Sequence, residues 1–250
     1  MSNINELTSL KGLFFTERKD CWWVGPLLTA IGLSAFGVYS FWAALQGAHY
    51  EWGPYLSPFY SPLIQIEGLK ISPAFLILWA PLGFRATCYY YRKAYYRSFF
   101  LDPPGCAVGE ARGHGYKGET SFPFVIQNVH RYFMYVAVIF IFILWYDALK
   151  AFIWDGQFGV GLGSLVMVLN TTLLTGYTFG CHSLRHVIGG KQDCFSCVSF
   201  GKLQHQAWSK VSWFNRRHML FAWCSLFTVG FTDLYIRLCA MGIFHDLRFF

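Results

Sequence analysis

Charge is what this sequence has least of. Only 13% of its 250 residues are Asp, Glu, Lys or Arg, about half the roughly 25% usual in soluble domains. With 55% hydrophobic and 20% aromatic residues alongside, that shortage excludes a soluble globular domain and places the chain in a membrane. The net charge of +7 is therefore not a nucleic-acid signal, and no nucleic-acid partner is expected. Its distribution reports orientation instead. No cleavable signal peptide is evident, because the apolar run from Cys21 is too long and ends without a small-residue cleavage site. The eight cysteines form no disulfide-like framework, which leaves free thiols or metal ligands.

What the chain has is long apolar runs, each close to the about 20 residues of helix that cross a hydrocarbon core of about 30 Å. The expected fold is an all-α integral membrane protein. A cytoplasmic segment, 1–20, precedes a transmembrane domain, 21–250, of five helices in one bundle, at 21–45, 72–97, 124–154, 158–187 and 217–243. Gly32, Ser34 and Gly37 give the first helix a small-residue face suited to close packing. The loop after it is rich in proline and aromatics, such as Trp52, Tyr55, Phe59, Tyr60 and Pro62, and reads as an ordered cap on the membrane surface. Pro81 should kink the second helix, and a Gly-rich hydrophilic loop leads from it to Ser121. Gly189-Gly190 should stop the fourth helix. A basic loop follows, and Asp233 and Arg237, four apart, should pair within the fifth. Lysine and arginine gather in the N-terminal segment and in the second-to-third and fourth-to-fifth loops, which puts the N-terminus in the cytoplasm and the C-terminus outside.

That orientation brings the metal-competent residues to one layer near the inner surface: Cys88, His130, Cys181, His182, His186 and His218. Arg85, Arg92, Arg131 and Arg185 join them. The outer layer has only His49 and His245, in loop or tail, so two stacked haems are excluded. Headgroup solvation alone would populate both faces. Three chemistries fit the layer: one haem b held by histidines on two helices, a [2Fe–2S] cluster of Rieske type held by two cysteines and two histidines, and a quinone pocket compatible with either. For the quinone, the inner layer offers Arg85, Tyr89, Arg131 and His218, with Trp22 and Trp23 at the rim. A non-redox transporter is the rival reading. It calls for ionisable groups near the midplane, where this chain has little beyond Asn170 and Thr171. Cys194-Phe195-Ser196-Cys197, with His205 nearby, looks like half a zinc site. Cys21, Cys106, Cys224 and Cys239 read as small apolar fillers, and Trp42, Trp79, Trp145 and Trp154 as interface anchors.

The segments Arg85-Ala-Thr-Cys-Tyr-Tyr-Tyr-Arg-Lys-Ala-Tyr-Tyr-Arg97, Gly180-Cys-His-Ser-Leu-Arg-His-Val-Ile-Gly-Gly190, Asn215-Arg-Arg-His218 and Thr232-Asp-Leu-Tyr235 resemble the five-helix membrane anchor of a bacterial succinate dehydrogenase (complex II). The similarity runs from about Asp20 onward. It is greatest to the mycobacterial type-1 enzyme, whose anchor carries a membrane-embedded Rieske-type cluster in place of haem. The resemblance implies a multi-pass protein of the bacterial inner membrane. It would pass electrons from an iron–sulfur subunit, fed by a succinate-oxidising flavoprotein, through an embedded metal centre to a membrane quinone. Those two subunits would dock on the basic cytoplasmic face. Four of the six residues Cys88, His130, Cys181, His182, His186 and His218 would ligate the cluster. A single-haem anchor of another oxidoreductase is the alternative, with Cys88 and Cys181 then packing residues.

Overall fold

The structure, a computed structural model, describes residues 12–68, 70–110, 120–122 and 124–250. Most of the expected cytoplasmic segment, with Lys11, and most of the Gly-rich loop before Ser121 lie outside the described residues. The chain forms two compact units: Met1–Val38 with Arg85–Val129, and Tyr39–Phe84 with His130–Phe250.

The apolar runs become helices. Among the described residues, four helical stretches are long and apolar enough to cross a membrane: Val24–Gln46, Val125–Lys150, Leu162–Phe179 and His218–Ala240. They correspond to the first, third, fourth and fifth expected spans. The second expected span is divided into short pieces. Helix α1 is Val24–Gln46; α2 is Ala74–Ile77, α3 Trp79–Ala86 and α4 Tyr89–Tyr95, and a π-helical turn follows at Tyr96–Phe100. Pro81 has no N–H to give the Ile77 carbonyl, and the α2–α3 interruption falls there. The break at Thr87–Cys88 was not expected. The third span opens with a 3₁₀ stretch, Phe124–Val129, and continues as α5, His130–Lys150. The fourth ends early: α6 is Leu162–Phe179, and a short α7, His182–Arg185, leads into a π turn at His186–Gly190. Gly189 and Gly190 thus lie inside a widened turn rather than capping an α-helix. The basic loop contains a helix the sequence reading missed, α8 at Gly201–Arg216, before α9 at His218–Ala240.

In the first unit, the segment before α1 is tied to the loop after the π turn. The Phe14 amide donates to the Gly109 carbonyl at 2.9 Å, and the Gly109 amide donates to the Phe15 carbonyl at 2.7 Å. The Arg18 guanidinium donates to the Cys106 carbonyl at 2.9 Å and also pairs with Asp20, whose carboxyl it holds below the usual carboxylate range. Cys21 and Cys106 are exposed, not apolar fillers. Ser34 and Gly37 are exposed, and among the described residues nothing lies within 4 Å of a Cβ built at Gly37, so these two positions do not pack against them.

In the second unit, close approach is set by glycines. A Cβ at Gly163 would meet the Tyr55 ring at 2.3 Å, and one at Gly176 would meet the Phe221 ring at 2.5 Å. The aromatic loop after α1 folds into a hairpin, β1 (Glu51–Trp52) against β2 (Tyr55–Leu56), with Tyr55, Phe59 and Tyr60 buried. The expected Asp233–Arg237 pair is present at 2.7 Å, with both side chains within 1% of full burial. The Asp233 carboxylate also accepts from Tyr39, at 2.6 Å, and from Ser57. Arg237 donates to the carbonyls of Ala48 and Ala43, each at 2.8 Å. One buried ion pair therefore holds α9, the end of α1 and the loop after it together, with each guanidinium nitrogen bonded.

Two outcomes follow from this packing. Asp233→Ala strands the Arg237 guanidinium in a buried site and should destabilise by about 3–5 kcal/mol; the double variant Asp233→Leu/Arg237→Met should recover much of that loss. Thermal unfolding in detergent reads both, and equal midpoints for the single and double variants would show that the pair is not coupled. Gly176→Ala should lower the unfolding midpoint, while Gly37→Ala should leave it in place or raise it slightly, since alanine is the better helix former.

Candidate functional site

The site grows out of the place where α6 stops. Gly180 and Cys181 leave the helix, and Cys181 takes an extended backbone, φ −64° and ψ 134°, as the first flanking residue of α7. The polar groups freed by the break are used locally. The Cys181 amide donates to the Thr178 carbonyl at 3.2 Å, and the Asn215 side chain donates to the Gly180 carbonyl at 2.7 Å. The thiol is thereby held in the interior, 1% exposed.

Cys181 Sγ lies 3.2 Å from His130 Nε2, so a thiol of the fourth span and an imidazole of the third are in hydrogen-bond contact. From His130 a series of rings runs through the second unit. The imidazole stacks on Phe84 at 5.0 Å and an interplanar angle of 5°. Phe84 meets Tyr177 edge-on at 5.3 Å, and Tyr177 stacks on His218 at 5.0 Å. His182 closes the series, 6.3 Å from the His218 ring. Each such contact contributes about 0.5–1.5 kcal/mol and fixes ring orientation. His218, the first residue of α9, is 6% exposed. A Cβ at Gly180 would sit 3.0 Å from its Nδ1, so glycine there lets the imidazole reach the break. His186 stands apart from the ring series. It is exposed and lies 3.2 Å from the Arg131 guanidinium, at the start of the π turn. Turns of that kind are rare and frequent at functional sites.

Within the second unit, then, the structure pairs His130 with Cys181 and sets His182 beside His218, the two pairs linked by the Phe84 and Tyr177 rings, and separately pairs Arg131 with His186. The remaining candidates belong to the first unit. Cys88 is 3% exposed and flanks α4 in an extended conformation, φ −64° and ψ 128°, almost the angles of Cys181. Arg85 donates to the Tyr91 hydroxyl at 2.5 Å. Tyr89 is exposed and faces the Arg92 guanidinium at 4.5 Å. Trp22 packs near Phe14 at 6.0 Å, and Trp23 is exposed. Among the described residues, no three His, Cys, Asp or Glu side chains converge as a single metal ion would need.

Sequence reasoning missed Phe84, Tyr177 and Asn215 as parts of the site. Tyr177 is four residues before Cys181, one helical turn away, and Asn215 is three before His218, so the helical period could have found both. Nothing in the sequence marks Phe84 beyond its place beside Arg85. The half zinc site is corrected: Cys194 and Cys197 are joined as a disulfide, and no third ligand gathers there among the described residues.

Comparison with known proteins follows these features. The sequence profile of the family described as actinobacterial succinate dehydrogenase subunit SdhC matches residues 24–242. A chain of the Mycobacterium smegmatis Sdh1 complex in the apo form is 44% identical, with 94% of this chain and 94% of that chain covered and a TM-score of 0.86. No curated protein sequence matches. The profile takes in the four long spans, both cysteine breaks and His218, and the chain belongs to the actinobacterial SdhC family, the membrane subunit of a succinate dehydrogenase.

Proposed function

We propose that this chain is the membrane anchor and quinone-reducing subunit of a succinate:quinone oxidoreductase in the bacterial inner membrane. It assembles with a flavoprotein that oxidises succinate and an iron–sulfur subunit that relays the electrons. Five spans with the N-terminus in the cytoplasm remain the reading of the basic-residue distribution, the broken second helix being one of the five. The solved relative belongs to an Sdh1 complex, which supports the partners.

The observation that carries the redox part of this reading is the contact between Cys181 Sγ and His130 Nε2. A buried thiol against a buried-side imidazole is the donor chemistry of a mixed sulfur–nitrogen site. A Rieske-type [2Fe–2S] cluster takes two thiolates on one iron and two imidazoles on the other, so it asks for donors in pairs and not for three around one point. The residue types present, two cysteines at helix breaks and four histidines, fit that demand. Cys88 and Cys181 would supply the thiolates, and two of His130, His182, His186 and His218 the imidazoles. When bound, such a cluster supplies one-electron transfer at a higher potential than an all-cysteine cluster.

The chain's own residues do the rest. Phe84 and Tyr177 hold the His130 and His218 rings in place and keep water from their faces. Asn215 anchors the backbone at the break, so Cys181 keeps its position. For the quinone, the candidates are Arg85, Tyr89 and Arg131, cationic and phenolic donors suited to the carbonyl oxygens of the headgroup, with the indoles of Trp22 and Trp23 at the rim. Each quinone needs two protons as well as two electrons. Arg131 is bonded to His186, an imidazole able to pass a proton from the same surface.

Electron paramagnetic resonance of the reduced complex tests the centre. A mean g value below that of all-cysteine clusters is expected, and Cys181→Ala and Cys88→Ala should each abolish the signal while leaving succinate oxidation by the soluble subunits intact. A low-spin haem signal that survives both substitutions would overturn the cluster in favour of one haem b. Placement of the quinone is tested in sealed vesicles. With electrons and protons drawn from one side, the succinate–quinone rate should be unchanged by an uncoupler; a rate that follows the membrane potential would move the quinone to the opposite face.

A further inference from the structure

The disulfide between Cys194 and Cys197 does not belong to the site above, and its surroundings give it a role. The stretch from 191 to 217 holds Lys191, Lys202, Lys210, Arg216 and Arg217 against a single acid, Asp193. By the positive-inside rule this surface faces the cytoplasm. There, thiols are kept reduced, and a disulfide is normally transient, catalytic or sensing. A Cys-x-x-Cys pair is a spacing that dithiol–disulfide couples use. Cys197 is exposed and Cys194 half-buried, so the bond is open to attack at one sulfur.

The turn that carries the bond is also wired to the redox site. Phe195, between the two cysteines, packs on His205 at 5.1 Å and on Trp208 at 6.0 Å. Glycines make room for it: a Cβ at Gly189 would lie 3.0 Å from the Phe195 ring, and one at Gly201 would lie 1.6 Å from its carbonyl oxygen. Trp208 in turn carries the Arg185 guanidinium over its ring at 4.5 Å, and Arg185 donates to Ser212 at 2.9 Å. Arg185 is the last residue of α7, the short helix that begins with His182. A change in the turn therefore reaches the candidate ligand helix through two contacts, Phe195 to Trp208 and Trp208 to Arg185, the last residue of α7.

We propose that Cys194 and Cys197 are a reversible dithiol–disulfide couple, exchanged with a cytoplasmic dithiol, that tunes quinone reduction through Phe195, Trp208 and Arg185. A thiolate of the reductant attacks Cys197 Sγ. The S–S bond breaks, and Cys194 leaves as a thiolate and takes a proton. The reductant's second thiolate then attacks its own sulfur in the mixed disulfide, releasing Cys197 as a thiol. Two electrons and two protons pass from the external dithiol, which ends as a disulfide. The proposal rests on the orientation given above, and the test separates the two.

The experiment uses the assembled complex in inside-out and right-side-out membrane vesicles. These are poised with thioredoxin, a membrane-impermeant dithiol, at graded reduced-to-oxidised ratios, quenched with acid and alkylated with a maleimide that carries a mass tag. The Cys194→Ser/Cys197→Ser variant gives the background from Cys21 and Cys106. Two extra tags per chain are expected in reducing buffer and none in oxidising buffer, with conversion in vesicles that expose the cytoplasmic face. The succinate–quinone rate should differ at least twofold between the two forms, and should not respond to the buffer in the double variant. Conversion only from the opposite face overturns the orientation and this couple with it. Access from the cytoplasmic face with no response to the dithiol ratio overturns the couple alone, and full conversion without any change in rate overturns the link to quinone reduction.

Discussion

Every backbone amide and carbonyl inside a bilayer must find a partner within the protein, and the candidate site exists because two helices break that rule and repair it. At Gly180–Cys181 the repair uses the Thr178 carbonyl, the Asn215 side chain and the Arg185 amide, which donates back to the Cys181 carbonyl at 3.1 Å. At Thr87–Cys88 it is made in the same way. The Cys88 amide donates to the Arg85 carbonyl at 3.1 Å, the Arg92 amide to the Cys88 carbonyl at 2.9 Å, and the Tyr95 hydroxyl to the Ala86 carbonyl at 3.1 Å. In each case a cysteine takes the extended position, an arginine follows four residues later, and a π turn ends the segment. The same local solution occurs twice, once in each unit, and each time it turns a thiol inward.

How far this was readable in the sequence depends on which force sets each feature. The long spans were legible because hydropathy over about 20 residues is a sum of many small terms that all point one way. The Asp233–Arg237 pair was legible from a spacing of four. The cysteine breaks were not, since Thr87 and Gly180 carry no strong breaker signal beyond one glycine, and the groups that close the breaks, Tyr95 and Asn215, act from nine residues away or from another helix. Helix α8 was hidden by its polarity: its sequence is basic and mixed, and its short stripe of Ala207, Trp208, Val211 and Phe214 is masked by the lysines, glutamines and serines around them. The helical stripe drawn through Arg85, Cys88, Tyr89, Arg92 and Tyr96 assumed an unbroken helix, and the interruption at Cys88 divides it.

The site residues were found by chemistry and not by packing. Histidine is costly in apolar surroundings, so the gathering of histidines at helix ends, with cysteines beside them, stood out. The aromatic residues that orient them did not, because Phe84 and Tyr177 are two among 51 aromatic residues, 26 Phe, 15 Tyr and 10 Trp. What distinguishes them is contact with an imidazole, which only three-dimensional placement reveals.

The far end of α9 has a consequence of an electrical kind. Asp233 lies fifteen residues beyond His218, about 22 Å along a helix at 1.5 Å per residue. A lone buried charge at that depth would feel the membrane field, about 2.3 kcal/mol per elementary charge for each 100 mV crossed in full. Arg237 cancels that charge within 2.7 Å, so the field acts on this pair only as a short dipole, already clamped by Tyr39, Ser57 and two carbonyls. An energised membrane therefore finds no net charge in this latch to pull on, and the fastening of α9 stays the same whether the cell is charged or run down.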